Sequence, residues 1–166
     1  MQKKKRINRI LAAALCICLT LGSVTVSRGA GTADAAVKQE SQVISIRTTE
    51  EFLEFAQNCT SDSWSRNKIF RLDADLDVSG STLRSVPVFG GIFDDNGHKI
   101  TGYVFQESAS PQGLFRYVQD SGLIKNLTVE GTVLPEGSRK TIGGIAGENA
   151  GTLQNCRFFG TVGGDG

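Results

Sequence analysis

Histidine, methionine and tryptophan each occur once in the 166 residues, tyrosine twice and proline three times. The lone histidine, His98, excludes a zinc hydrolase that needs two histidines on one helix. Every Ser-His-Asp or Cys-His arrangement would also have to use it. Cysteine is scarce: of four, Cys16 and Cys18 lie near the amino terminus, and only Cys59 and Cys156 follow. That is too few for a disulfide scaffold, and two unpaired thiols are expected. Charge is absent from residues 10–26, and glycine is absent from residues 36–79.

The uncharged run has a meaning of its own. Lys3, Lys4, Lys5, Arg6 and Arg9 form a basic head in front of it, and Ala33 and Ala35 supply small residues at signal-peptidase positions. This is the pattern of a secretory signal peptide over residues 1–35. It is short for a membrane span of roughly 20 residues, so the membrane enters only through the leader during export. Residues 36–166 then carry 12 basic and 16 acidic side chains, net −4. A mildly acidic secreted chain is a poor nucleic-acid binder, because phosphate affinity needs clustered positive charge.

Residues 36–79 read as an N-terminal cap. Val43-Ile44-Ser45-Ile46 alternates as a short strand. Thr48 followed by Glu51 is a capping box opening a helix to about residue 58, with Phe52, Phe55 and Ala56 on one apolar face. Residues 58–67 are polar and read as a loop anchored by Trp64. Residues 69–78 alternate as one half-buried strand.

Residues 80–166 hold 17 glycines, with apolar β-formers between them, which predicts short strands joined at glycine turns. They also repeat. Asn126-Leu127-Thr128-Val129-Glu130-Gly131-Thr132-Val133 recurs 29 residues later as Asn155-Cys156-Arg157-Phe158-Phe159-Gly160-Thr161-Val162. Gly122 and Ile124 map onto Gly151 and Leu153 at the same offset, and Gly113-Leu114-Phe115-Arg116 pairs with Gly144-Ile145-Ala146-Gly147. A period of this length marks stacked units, none able to close a core alone.

These residues resemble the GLUG-motif repeat of secreted and surface-attached bacterial proteins. The first copy is carried by Gly113, Leu114, Phe115, Gly122, Ile124, Asn126, Leu127 and Gly131. Gly144, Ile145, Gly147, Gly151, Leu153, Asn155, Cys156 and Gly160 carry the second. Residues 72–79 and 87–102 resemble the lead-in to such repeats. Arg116 and Asp95 stand where that pattern has glycine. The resemblance implies an all-β fold, a right-handed parallel β-helix (solenoid), with the residue 48–58 helix covering one end. Asn126 and Asn155 suit left-handed corners and can stack their amides from coil to coil. The same repeats occur in the N-terminal regions of IgA1-specific metalloproteases, so an accessory region of a larger secreted protease is the alternative.

Few residues point to chemistry. Asp73, Asp75 and Asp77 would share one strand face and are weak candidates for a metal, but the calcium-loop pattern fails at Val78 and Arg84. Asp94 and Asp95 are adjacent and would point to opposite faces, which disfavours a glycosidase pair. Gly143–Gly147 lacks the Lys-Ser/Thr of a phosphate loop and reads as a solenoid turn. Trp64, Tyr103 and Tyr117 are weak candidates for a sugar-stacking surface. Phe89, Phe93, Phe105, Phe115, Phe158 and Phe159 are expected mostly in the core.

The sequence ends in a turn after two clear repeats, which predicts an incomplete solenoid whose open end stacks on further coils. The expectation is a non-catalytic, secreted or cell-surface module of a bacterial envelope protein, with no cofactor and with cell-wall or host glycans or proteins as partners. A β-helix polysaccharide-degrading enzyme is the remaining alternative, on fold analogy alone.

Overall fold

A computed structural model describes residues 42–163 apart from 107, 109 and 138–140. The leader at 1–35 lies outside the described residues, as do the last three. Among the described residues, twelve strands and one helix follow in chain order: β1 (Val43–Ile46), α1 (Thr49–Asn58), β2 (Ile69–Leu72), β3 (Leu76–Asp77), β4 (Val86–Phe89), β5 (Ile92–Asp94) and β6 (Lys99–Phe105). They continue with β7 (Phe115–Val118), β8 (Leu123–Lys125), β9 (Thr128–Val133), β10 (Ala146–Asn149), β11 (Thr152–Gln154) and β12 (Arg157–Val162).

The strands fall into three parallel sheets, and the chain visits them in rotation. One sheet runs β1-β2-β5-β8-β11, the second β3-β6-β9-β12 and the third β4-β7-β10. The architecture is a parallel β-solenoid of about four turns with one short helix near the amino terminus. Sheet one begins its coils at Ile69, Ile92, Leu123 and Thr152, so successive coils take 23, 31 and 29 residues. Only the last of these intervals equals the repeat visible in the sequence. The two earlier coils carry the same register but not the same spacing or glycines, and the two repeats therefore become four turns.

Register explains the repeat. Ile124 pairs with Leu153, Val129 with Phe158 and Gly131 with Gly160. Phe115 pairs with Ala146, as the alignment of the two glycine-rich stretches requires. Side chains at matched positions stack into inward columns, such as Phe70, Phe93 and Ile124, all fully buried. Gly131 and Gly160 are not turn residues. They lie inside β9 and β12, where a Cβ on Gly131 would strike the Tyr103 carbonyl and one on Gly160 the Gly131 carbonyl. Close approach of one coil to the next excludes a side chain there.

Helix α1 covers the amino-terminal end of the coils. Thr48 caps it, its Oγ1 accepting from the Glu51 N–H at 3.2 Å. Glu51 reaches back one residue further than a capping box requires, accepting from the Arg47 N–H at 2.6 Å. Phe52, Phe55 and Ala56 are buried, and Phe55 meets Phe70, Phe89 and Phe93 with ring centroids 4.7, 5.9 and 5.6 Å away. An aromatic plug thus closes the apolar interior at the end where no coil precedes it among the described residues.

The single strand expected over residues 69–78 is broken. β2 ends at Leu72, the Asp73 N–H donates to the Ile46 carbonyl at 2.9 Å, and the chain turns a corner before β3. Alternation continued through the corner in the sequence because Leu72, Leu76 and Val78 all face the same interior.

Candidate functional site

The most organised polar group lies along the corner that follows sheet one. In the second, third and fourth coils the chain turns there through left-handed residues: Asn96, Asn126 and Asn155, with φ of 55°, 62° and 58°. Asparagine tolerates this region better than other non-glycine residues. Asn155 Nδ2 donates to Asn126 Oδ1 at 3.3 Å, and Asn126 Nδ2 donates to Asp94 Oδ1 at 2.8 Å. The expected amide stack is therefore present, and it ends on a carboxylate. Lys125 Nζ sits 2.8 Å from Asp94 Oδ2. Burial works to raise Asp94, but the hydrogen bonds from Lys125, Asn126 and the Asn96 N–H outweigh it and hold the carboxyl below its usual range.

Asp95 is the side chain that sequence reasoning undervalued. It is 1% exposed. Its Oδ1 accepts from the Gly97 N–H at 3.0 Å and its Oδ2 from the Thr128 N–H at 2.9 Å, tying one coil's turn to the strand of the next. Burial raises its carboxyl above the ordinary value, while these two hydrogen bonds pull the other way. The signal was there: an acid replaced the glycine expected before Asn96, and a turn that loses glycine needs another way to satisfy its N–H groups. Asp94 and Asp95 thus serve two structural sets of bonds, and their carboxylates do not face one another across a cleft.

The three alternating aspartates separate in the same way. Asp73 accepts from the Ser45 hydroxyl and pairs with Arg71 at 2.8 Å and Arg47 at 3.5 Å. Asp75 lies 3.0 Å from His98 Nδ1, and Asp77 accepts from the Ser79 N–H at 2.9 Å. The corner between β2 and β3 destroys the shared face on which the metal candidate rested. Among the described residues no cluster of three or more His, Cys, Asp or Glu side chains could hold a metal ion. His98 closes the turn after Asp95, its N–H donating to the Asp95 carbonyl at 2.9 Å.

The aromatic candidates do not form a surface. Tyr103 is 1% exposed, and its hydroxyl donates toward the Arg84 carbonyl at 2.8 Å and the Gly113 carbonyl at 3.0 Å. The Trp64 ring lies against Phe55 and Phe70, with Lys68 Nζ 4.1 Å from its centroid. Tyr117 stands half-buried on β7, in a different sheet from Tyr103. Tyr103 was misjudged because its alternation is shifted by a bulge between Ile100 and Tyr103, where Gly102 takes φ of 73°. Phe159 is also not core: it is 56% exposed, facing outward one residue after the inward Phe158.

Both described thiols are free. Burial pushes Cys59 up to about 12 and raises Cys156 as well, so both stay protonated and poorly nucleophilic at neutral pH. Cys156 occupies the inward position of its coil, with Sγ donating to the Ile124 carbonyl at 3.4 Å.

A cavity of about 400 Å³ lies apart from this corner, between α1, the segment entering β4 and the start of β7. In its wall Gln112 is 1% exposed, and its Nε2 has no hydrogen-bond partner. Nothing in the sequence marked this glutamine.

Three parallel sheets, inward apolar columns and a polar corner ladder define a β-solenoid repeat module. Two large proteins are similar to it in sequence. Over 126 residues the chain is 30% identical to halomucin of the archaeon Haloquadratum walsbyi, covering 66% of this chain and 1% of halomucin. Over 166 residues it is 26% identical to a protein of Evansella cellulosilytica described as a Gly-rich membrane protein, covering 91% of this chain and 19% of that one. The chain thus spans less than a fifth of either relative's length. No family model matches it, and no solved structure does. No helix among the described residues is long and apolar enough to cross a membrane.

Proposed function

We propose that this chain is a non-catalytic module of a bacterial envelope protein. Exported by its leader, it stands outside the cell as a GLUG-like spacer, adhesion or binding element toward cell-wall or host glycans or proteins. The observation that carries this reading is where its polar side chains go. Asp94, Asp95, Asn126 and Asn155 bond coil to coil, which suits a rod-like building unit more than a reactive cleft. Its likeness to short stretches of much larger proteins supports the same role. The outer edges of β10, β11 and β12 then stack on further coils.

The test is to express the chain with its leader, fractionate the cells and sequence the amino terminus of the product. A surface or medium fraction beginning at Ala36, which sediments saturably with purified cell walls and turns over no polysaccharide, is expected. Retention in the cytoplasm with the leader intact would remove the envelope role. Polysaccharide cleavage lost on Asp94→Ala would restore the enzyme reading.

A further inference from the structure

We infer that the cavity beside α1 is a binding site for a small organic carboxylate with an apolar body. This inference stands apart from the spacer role and survives its failure. The cavity, about 400 Å³, is of the size that small-molecule sites occupy. Leu53, Leu83, Pro87 and Phe105 supply apolar wall, and among the described residues the charged side chains that line it, Arg84 and Arg116, are both cations. Arg116 lies on the exposed side of β7 and uses Nη2 on the Ser110 carbonyl at 3.2 Å, which leaves further N–H groups of its fork. The unpartnered Nε2 of Gln112 adds a buried neutral donor to the same wall.

The Gln112 backbone is fixed on both sides. Its N–H donates to the Thr141 carbonyl at 3.1 Å, and its carbonyl accepts from the Gly143 N–H at 2.9 Å. Gly147 packs so closely on its backbone that a Cβ there would meet Gln112 N at 2.5 Å. A buried donor that the fold leaves without a partner calls for an acceptor from outside it. A carboxylate satisfies the amide through one oxygen and a guanidinium through the other, while its apolar body covers the proline and phenylalanine wall.

The test is a titration of the full ¹⁵N-labelled chain with phenylacetate, following the Gln112 side-chain amide. A saturable shift is expected, with phenylacetamide at least tenfold weaker. Arg116→Gln is expected to lower affinity about tenfold at unchanged Tm, and Gln112→Leu, followed through the Arg116 backbone amide, to abolish binding. Glucuronate tests the body of the ligand: tighter binding than phenylacetate would overturn the apolar assignment. Absence of any shift at about 10 mM, or equal binding of the neutral amide, would overturn the site and leave the cavity to water.

Discussion

A buried carboxylate that bonds two backbone N–H groups has no substitute among smaller side chains. Asp95→Ala would leave the Gly97 and Thr128 N–H groups without their acceptor. A loss of about 1–3 kcal/mol is expected from urea denaturation. Asp95 also sets a pH signature. Because its folded-state value is raised, the folded chain holds this proton to higher pH than the unfolded one. Its contribution is present at low pH and declines as pH rises from the unfolded value, about 3.9, through the folded one. Asp73, held low first by the Arg71 hydrogen bond, Asp77, held low by the Ser79 N–H, and Asp94 run the other way. Their contribution is present above the unfolded value and is lost as pH falls through their depressed folded values. Urea midpoints measured across the acid range should therefore show Asp95→Asn gaining on the wild type as pH rises through the Asp95 window. A constant difference would contradict the raised value.

Strands and helix respond to different substitutions. Gly160→Ala places a Cβ against the Gly131 carbonyl in the last coil, at a residue with φ of 147°. It should free β11 and β12 to exchange their amide protons while the earlier coils stay protected, because these two strands pair on one side alone, to β8 and β9. Gly131→Ala meets the Tyr103 carbonyl in mid-stack and should lower the global Tm instead. At the other end, Thr48→Ala removes the cap that receives the Glu51 N–H and should cost about 1 kcal/mol in thermal denaturation.

Across the solenoid, burial is uneven. Seven rings, Phe52, Phe55, Trp64, Phe70, Phe89, Phe93 and Phe115, are linked edge to face or tilted at the amino-terminal end. In the last coil Leu153 is 37% and Val162 43% exposed. Phe55→Ala removes the ring that meets five others and should destabilise the whole fold by about 3–5 kcal/mol. The proposed stacking of further coils makes the opposite end adhesive. Sedimentation over a concentration series should show self-association through that edge, lost in Leu153→Lys, which sets a charge at the head of an inward column. A monomer at every concentration would argue against stacking between copies.

The amino-acid pattern alone determined the capped helix, the 29-residue repeat and its register, the stacked asparagines and the inward Leu127 and Cys156. Each of these is a local or nearest-coil matter: a cap needs its own first turn, and a repeat displays its register by its own spacing. Tertiary structure alone decided the rest. The number of coils escaped the sequence because coils of 23 and 31 residues keep register through backbone pairing, whatever their corner lengths. Only the corner at Asp73 could part the three aspartates, and only the bulge at Gly102 could turn Tyr103 inward. Period-two alternation is blind to both, since a chain that turns around one core keeps alternating while its faces change direction. The cavity and its unpaired Gln112 belong to this second group, because they arise where α1 and two distant segments meet.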